Sequence, residues 1–178
     1  MNRLLDFIPE LDKELRPLYI KMYNEIRDID DYWIFCTTWG KYFPSIKNEG
    51  IIFYGRSING WKDYEKYSGD ADAIFSFLFN RDDQVEWIPE NTVKPFVNLM
   101  KNISEHYYQN EWNQHISWSN VCKVSPNKGI GTPTKSLWEK QYEHIVNIMD
   151  AELKILSPKI VIFITGIHHY LKLKDTKI

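Results

Sequence analysis

The stretch SPKIVIFITG, residues 157–166, decides the fold class of this chain. Serine followed by proline ends a helix, because proline disfavours a helical conformation in the residue before it. The run from Lys159 to Gly166 is then rich in β-branched residues and closes on glycine, a pattern that predicts a strand. A helix followed at once by a strand is the repeating unit of α/β proteins.

The helix that precedes this strand has a start signal of its own. Ser136 and Glu139 match a capping box, in which each side chain satisfies a backbone N–H group of the first turn. Apolar residues then recur at the spacing of one helix face: Ile145, Ile148, Met149, Leu153 and Leu156. The sequence therefore predicts a helix between Ser136 and Ser157.

Earlier in the chain the same alternation recurs. Ile51 to Tyr54 is a continuous apolar run stopped by glycine, which is typical of a strand buried on both faces. His115 to Val124 predicts a second strand and Asn91 to Tyr108 a helix. Apolar residues from Leu11 to Ile26 predict a first helix, which Pro17 either kinks or opens at its second half. We therefore expect a three-layer α/β/α fold with a mostly parallel central sheet.

Composition limits the class of protein. The chain has 178 residues, 43% of them hydrophobic, and a net charge of -2, which fits one domain over residues 1–178 with a helical segment over residues 1–35. Cys36 and Cys122 lack metal-ligand spacing, so we expect no metal and a reduced, cytoplasmic setting. No apolar run approaches the roughly 18 residues of a membrane span, so we expect no membrane partner.

Three segments in order resemble the uracil-DNA glycosylase superfamily: IIFYGRSINGW at 51–61, ISWSNVCKVSPNKGIGTP at 116–133 and ELKILSPKIVIFITG at 152–166. The middle segment is similar to the iron-sulfur branch, and the first to the mismatch-specific and single-strand-selective branches. The resemblance implies a monofunctional, cofactor-free DNA glycosylase that excises a flipped-out base in DNA repair. The cysteines of the iron-sulfur branch are absent from the sequence.

The resemblance also implies an incomplete C-terminus. In the superfamily a second catalytic motif follows the strand equivalent to residues 160–165, and the sequence stops at Ile178. We therefore expect little glycosylase activity from this chain by itself. The strand at 160–165 is expected to have an unpaired edge, through which two copies could associate.

The resemblance assigns roles to residues after the first strand. In one alignment Asn59 orients the attacking water, and in the other Ser57 stands where the main branch has its catalytic aspartate; the first alignment is favoured. Cleavage of an N-glycosidic bond builds positive charge on the sugar and negative charge on the base, so the site needs a held water and donors for the base oxygen. Gly55 and Trp61 are assigned to substrate binding.

Asn120, near the end of the second strand, is the predicted base reader. An amide offers one acceptor and two donors, which fit the N3–H and O4 edge of uracil. Phe75 or Phe77 is predicted to stack on the extruded ring. Lys123 and Lys128 are predicted to hold the phosphates of DNA, the expected partner.

Two functions from different classes stay open. The first is a DNA base-excision enzyme, and the second is a catalytically inactive member of the same fold that binds nucleic acid or another protein. In both, the ligand is expected beyond the carboxyl ends of the parallel strands, where the loops after Tyr54, after Trp118 to Val124 and after Ile164 should face one cleft.

Overall fold

The computed structural model describes residues 12–26, 32–43, 49–57, 71–72, 75, 88, 94–126 and 133–165. The helices whose bounds lie within these ranges are α1 (Arg16–Ile26), α2 (Pro95–Tyr108) and α3 (Lys135–Leu156). The strands are β1 (Tyr32–Ile34), β2 (Thr38–Trp39), β3 (Ile51–Gly55), β4 (Ile116–Asn120), β5 (Val124–Pro126) and β6 (Ile160–Ile164). A 3₁₀ segment, Gln109–His115, joins α2 to β4.

The main sheet has the strand order β2-β4-β3-β6. Strand β3 runs parallel to both β4 and β6, whereas β2 is antiparallel to β4. Strands β1 and β5 form a separate antiparallel pair. Gly55 lies in register with Asn120 on one side and with Ile164 on the other, so the three parallel strands end at the same edge. The partly parallel sheet with helices between its strands confirms the predicted α/β class.

Buried side chains form a core on each face of β3. Ile52 and Tyr54 belong to a cluster with side chains of α1 and α3. Ile51 and Phe53 belong to a second cluster, together with Val97 of α2. Successive residues of a strand point to opposite faces, so β3 contributes to both cores and is buried throughout, as its unbroken apolar run predicts.

Prolines mark the starts of two helices. Helix α1 begins at Arg16 after a turn at Leu15, so Pro17 lies in the first turn, where its missing N–H group removes no helical hydrogen bond. This is the second of the two alternatives that the sequence leaves open. Helix α2 begins at Pro95, whose fixed φ suits the first helical position.

The start of α3 corrects the predicted capping box. Thr134 is the N-cap residue, and its hydroxyl accepts a hydrogen bond of 3.2 Å from the backbone N–H of Leu137. Ser136 lies inside the first turn, and Glu139 instead approaches Lys135 at 3.8 Å on the surface. The N-cap residue therefore lies two residues before the predicted one. Ser157, in a left-handed conformation with φ of 45°, ends it where the sequence predicts.

Two further boundaries differ from the prediction. The predicted strand from His115 to Val124 stops at Asn120, because the backbone N–H groups of Val121 and Cys122 donate to the carbonyl oxygens of Gly55 and Arg56 and the chain then turns into β5. The predicted helical segment over residues 1–35 is wrong at its end, since residues 32–34 form β1 beside β5.

Strand β6 lies at the edge of the main sheet within the described residues, where it pairs with β3 alone. Val161 and Phe163 are 39% and 40% exposed on one of its faces. Self-association through this edge stays a prediction. None of the described helices is both long and apolar enough to span a bilayer.

Candidate functional site

The carboxyl ends of β3 and β4 bring two of the predicted site residues together. Gly55 and Asn120 are the last residues of these neighbouring strands and lie side by side in register. The first residues of the two strands, Ile51 and Ile116, are also in register. Because each strand has five residues, their last residues lie side by side as well. The edge is where α/β proteins hold their ligands.

Asn120 has a buried amide with one free hydrogen-bonding group. The residue is 2% exposed, and its Nδ2 atom has no hydrogen-bond partner among the described residues. The indole Nε1 of Trp118 donates to Oδ1 at 3.4 Å. Because an indole N–H only donates, this contact agrees with an oxygen at that end of the amide. A buried amide donor without a partner costs about 1–3 kcal/mol, so a ligand that supplies an acceptor there would recover this cost.

Gly55 is needed for the position of the Asn120 side chain. A Cβ atom at residue 55 would lie 2.3 Å from the Oδ1 atom of Asn120 and 3.4 Å from the ring of Phe96. Side-chain carbon atoms do not approach an oxygen so closely, so any larger residue would displace the amide. The glycine that ends the IIFYG run therefore makes room for the asparagine of the next strand.

Aromatic rings line the same side of the sheet. Trp118 lies two residues before Asn120, on the same face of β4. Its ring lies 5.2 Å from the ring of Phe35 and 5.3 Å from that of Phe96, both centroid to centroid. Trp118 and Phe96 are half-buried. The amide of Asn120 therefore lies beside a partly exposed aromatic surface, a setting suited to a flat ring that carries a carbonyl group.

The opposite face of the same strand ends carries a buried ionic network. Glu152 of α3 and Lys123, in the turn after β4, form an ion pair with 2.8 Å between Nζ and Oε1, and both side chains have no exposed surface. The carboxylate also accepts hydrogen bonds from three hydroxyl groups, those of Tyr19 at 2.8 Å, Tyr54 at 2.9 Å and Ser119 at 3.1 Å. We call these five residues the Glu152 network.

Every charged group of the Glu152 network is satisfied. Lys123 uses its three N–H bonds on the Oγ of Ser119 at 2.6 Å and on the two oxygens of Glu152 at 2.8 and 3.0 Å. Each carboxylate oxygen accepts one phenol in addition, from Tyr19 or from Tyr54. Saturated networks of this kind hold a single arrangement, because any displacement leaves a buried charge without a partner.

Burial shifts the pKa values of the lysine and the two tyrosines in the network. Burial lowers the pKa of Lys123, and the adjacent charge of Glu152 opposes that shift. Burial, and then the charge of Glu152, raises the pKa of both Tyr19 and Tyr54, so the two phenols remain hydrogen-bond donors at neutral pH. Burial also raises the pKa of the Cys36 thiol.

Two of the predicted site residues are buried on the face of the sheet opposite Asn120. Phe75 is fully buried, with its ring centroid 5.5 Å from that of Tyr19 and 6.1 Å from that of Tyr23. It belongs to the core on the face opposite Asn120, so the structure does not place it beside a base read by that residue. Lys123 is in the interior and paired with Glu152, so its assignment to a DNA phosphate is corrected.

The other predicted site residues have different outcomes. Ser57 follows β3 by two residues and is half-buried near the strand ends. Four lie outside the described residues: Asn59, Trp61, Phe77 and Lys128. Their predicted roles therefore stay predictions.

Sequence reasoning missed the members of the Glu152 network other than Lys123. One signal was present, because Glu152 lies four residues after Ile148 and three after Met149, on the apolar face of α3. A charge on such a face predicts a buried partner. Nothing in the local sequence identifies Tyr19 or Ser119 as that carboxylate's neighbours.

Comparison with protein-family models, with curated proteins and with solved structures gives no significant match for this sequence. Within the described residues, no group of three or more His, Cys, Asp or Glu side chains is arranged to hold a metal ion.

Proposed function

We propose that this chain binds a flipped-out pyrimidine base of DNA at the carboxyl edge of β3 and β4, as a uracil-DNA glycosylase-like protein with a three-layer α/β/α fold. One observation carries the proposal: the Asn120 amide nitrogen is buried, has no partner among the described residues, and lies beside half-buried aromatic rings. A site of this kind selects a planar ring with a carbonyl oxygen at its edge.

Uracil matches the two ends of the Asn120 amide. The Nδ2 group would donate to the O4 atom of the base, and Oδ1 would accept from N3–H with the lone pair that the Trp118 indole leaves open. This edge is used in base pairing, so the base must leave its stack before it reaches the amide. Phe96 and Trp118 replace Phe75 as the aromatic residues proposed to contact it.

Hydrolysis of the N-glycosidic bond would need a held water near the sugar. Ser57, half-buried after β3, and Asn59 are the residues proposed to orient it. A hydroxyl or an amide can position a water by hydrogen bonds but supplies no charged base, so cleavage by this means would be slow.

A second candidate is a module that binds the base without cleaving it. The described residues at the strand ends, Gly55–Ser57 and Asn120–Cys122, include no carboxylate and no imidazole. A ligand could therefore be read by the Asn120 amide while the bond to its sugar stays intact.

The test uses single-stranded oligonucleotides that carry one uracil, hypoxanthine, xanthine or cytosine. Binding is measured by fluorescence anisotropy, and base release by alkaline cleavage of the abasic product. We expect uracil to bind best, and Asn120→Asp to weaken uracil by about tenfold or more while cytosine gains relative to uracil, since one bidentate contact discriminates by about 1–3 kcal/mol.

Asn113→Asp is the matched control, because Asn113 is also buried but lies in the 3₁₀ segment that precedes β4, at the other end of the strand. Unchanged uracil binding in the Asn120 variant would refute the base-reading role. Binding without base release in the parent chain would favour the second candidate.

A further inference from the structure

The Glu152 network includes the residues that directly precede the candidate site in β3 and β4. Tyr54 immediately precedes Gly55 in β3, and Ser119 immediately precedes Asn120 in β4. Both hydroxyl groups donate to the same carboxylate, at 2.9 and 3.1 Å. Because neighbouring residues of a strand point to opposite faces, the carboxylate lies behind the site that the amide of Asn120 faces.

The network also restrains the segment that follows Asn120. The Nζ atom of Lys123 donates a hydrogen bond of 2.6 Å to the Oγ atom of Ser119, which lies four residues earlier in the chain. Between them, the backbone N–H groups of Val121 and Cys122 donate to carbonyl oxygens at the end of β3, each at 2.9 Å. Asn120 is therefore held from the residue before it, from the turn after it and from the neighbouring strand.

A buried ion pair gives little net stability compared with apolar residues of the same size, because both charges lose their water. What a saturated ionic network provides is a single geometry. Here that geometry includes the ends of β3 and β4. At these ends Gly55 and the Oδ1 atom of Asn120 lie so close together that there is no room for a Cβ atom at residue 55.

We propose that Glu152 and Lys123 are positioning residues, which act through Tyr54 and Ser119 to hold the Asn120 amide in the orientation that binds the ligand. The identity of that ligand rests on the proposed function. The positioning of the Asn120 amide by the network does not depend on that function.

Three single substitutions separate positioning from stability. Tyr54→Phe and Ser119→Ala each remove one hydroxyl that ties a strand end to the carboxylate. Tyr19→Phe is the matched control, because Tyr19 donates to the same carboxylate at 2.8 Å but belongs to α1. Its hydroxyl also accepts from the backbone N–H of Thr37 at 3.3 Å, so its loss should cost at least as much stability as the loss of the Tyr54 hydroxyl.

The first readout is the side-chain amide resonance of Asn120 in ¹⁵N-labelled protein without ligand, identified by its disappearance in Asn120→Asp. Aromatic rings beside the amide make its chemical shift sensitive to position. We expect the resonance to shift or broaden in Tyr54→Phe and Ser119→Ala, and to stay in place in Tyr19→Phe. Equal shifts in all three variants, or none in any, would overturn the proposal.

The second readout is affinity for the single-stranded uracil oligonucleotide. We expect Tyr54→Phe and Ser119→Ala to bind about fivefold more weakly, the equivalent of one hydrogen bond, and Tyr19→Phe to bind like the parent. If the parent does not bind uracil, the proposed function fails, while the amide resonance still decides whether the network positions Asn120. A fivefold loss in Tyr19→Phe as well would overturn the positioning role.

Discussion

Removing one charge of the buried ion pair should destabilise the protein far more than removing both. Glu152→Gln leaves the Lys123 ammonium fully buried beside neutral groups, and Lys123→Met leaves the Glu152 carboxylate without its cation. Breaking one side of such a pair costs about 3–5 kcal/mol, a large part of the 5–15 kcal/mol that a domain of this size has. The double variant Lys123→Met/Glu152→Gln buries no charge, so its free energy of unfolding should lie within about 2 kcal/mol of the parent.

The pH dependence of Glu152→Gln gives a second test of the same pair. Burial lowers the pKa of Lys123 and the Glu152 charge opposes the shift, so loss of that charge lowers the pKa further. Between this lowered value and the ordinary 10.5, the unfolded chain binds more protons than the folded one. The stability of Glu152→Gln should therefore rise with pH in that interval, by up to about 1.4 kcal/mol per pH unit for one proton.

Urea unfolding followed by circular dichroism, from pH 6 to pH 10, measures both effects. The double variant lacks Lys123 but keeps every other titrating group of Glu152→Gln, so the difference between their slopes isolates this lysine. The reasoning would be refuted by single variants that cost less than about 1 kcal/mol, since this is the range of an exposed pair. A pH-independent difference between Glu152→Gln and the double variant would contradict the lowered pKa.

Three further predictions concern other parts of the molecule. Gly55→Ala should abolish uracil binding, because the added Cβ atom displaces Asn120. Gly40→Ala is the control: its Cβ atom would lie 2.4 Å from the backbone, so the substitution should lower the free energy of unfolding and leave the affinity of the folded protein unchanged. Thr134→Ala should lower the free energy of unfolding in urea by about 1 kcal/mol and Ser136→Ala should leave it almost unchanged, because only Thr134 caps α3. Equal losses would instead support the capping box predicted at Ser136. Above pH 10.5, the ordinary pKa of a lysine, the difference in Lys123 protonation between the folded and unfolded states diminishes. There the free energy of unfolding should fall as pH rises, because unfolding releases protons from buried groups of raised pKa; a flat profile would contradict these shifts. Those groups are Cys36, Tyr19 and Tyr54.

Local sequence predicts the strands better than it predicts what surrounds them. The β3 and β6 runs are bounded by glycine or proline and rich in apolar residues, and both properties act within a few positions. The register of β3 with β4 then places Asn120 at the carboxyl edge, although the predicted second strand continues to Val124. The predicted capping box fails because Thr134 offers the same hydroxyl two residues earlier.

The locations of Lys123 and Phe75 depend on partners that are distant in the sequence. A lysine next to a turn is normally solvated, and only the carboxylate 29 positions later makes its burial tolerable. Phe75 packs on α1, more than fifty positions earlier, and no local pattern states which face of the sheet receives its ring. Residues whose environment is set by long-range charge or by choice of face are those that a single sequence predicts least well.

The order in which the Glu152 network is synthesised has a consequence for folding in the cell. Tyr19, Tyr54, Ser119 and Lys123 all leave the ribosome before Glu152, the acceptor that joins them. Until then a dry core around Lys123 would bury an ammonium group without its carboxylate, which disfavours closing the sheet on that side. We therefore expect β3 and β4 to complete their packing only after α3 has been synthesised, with apolar strand surface exposed until then, the kind of surface that is prone to aggregation.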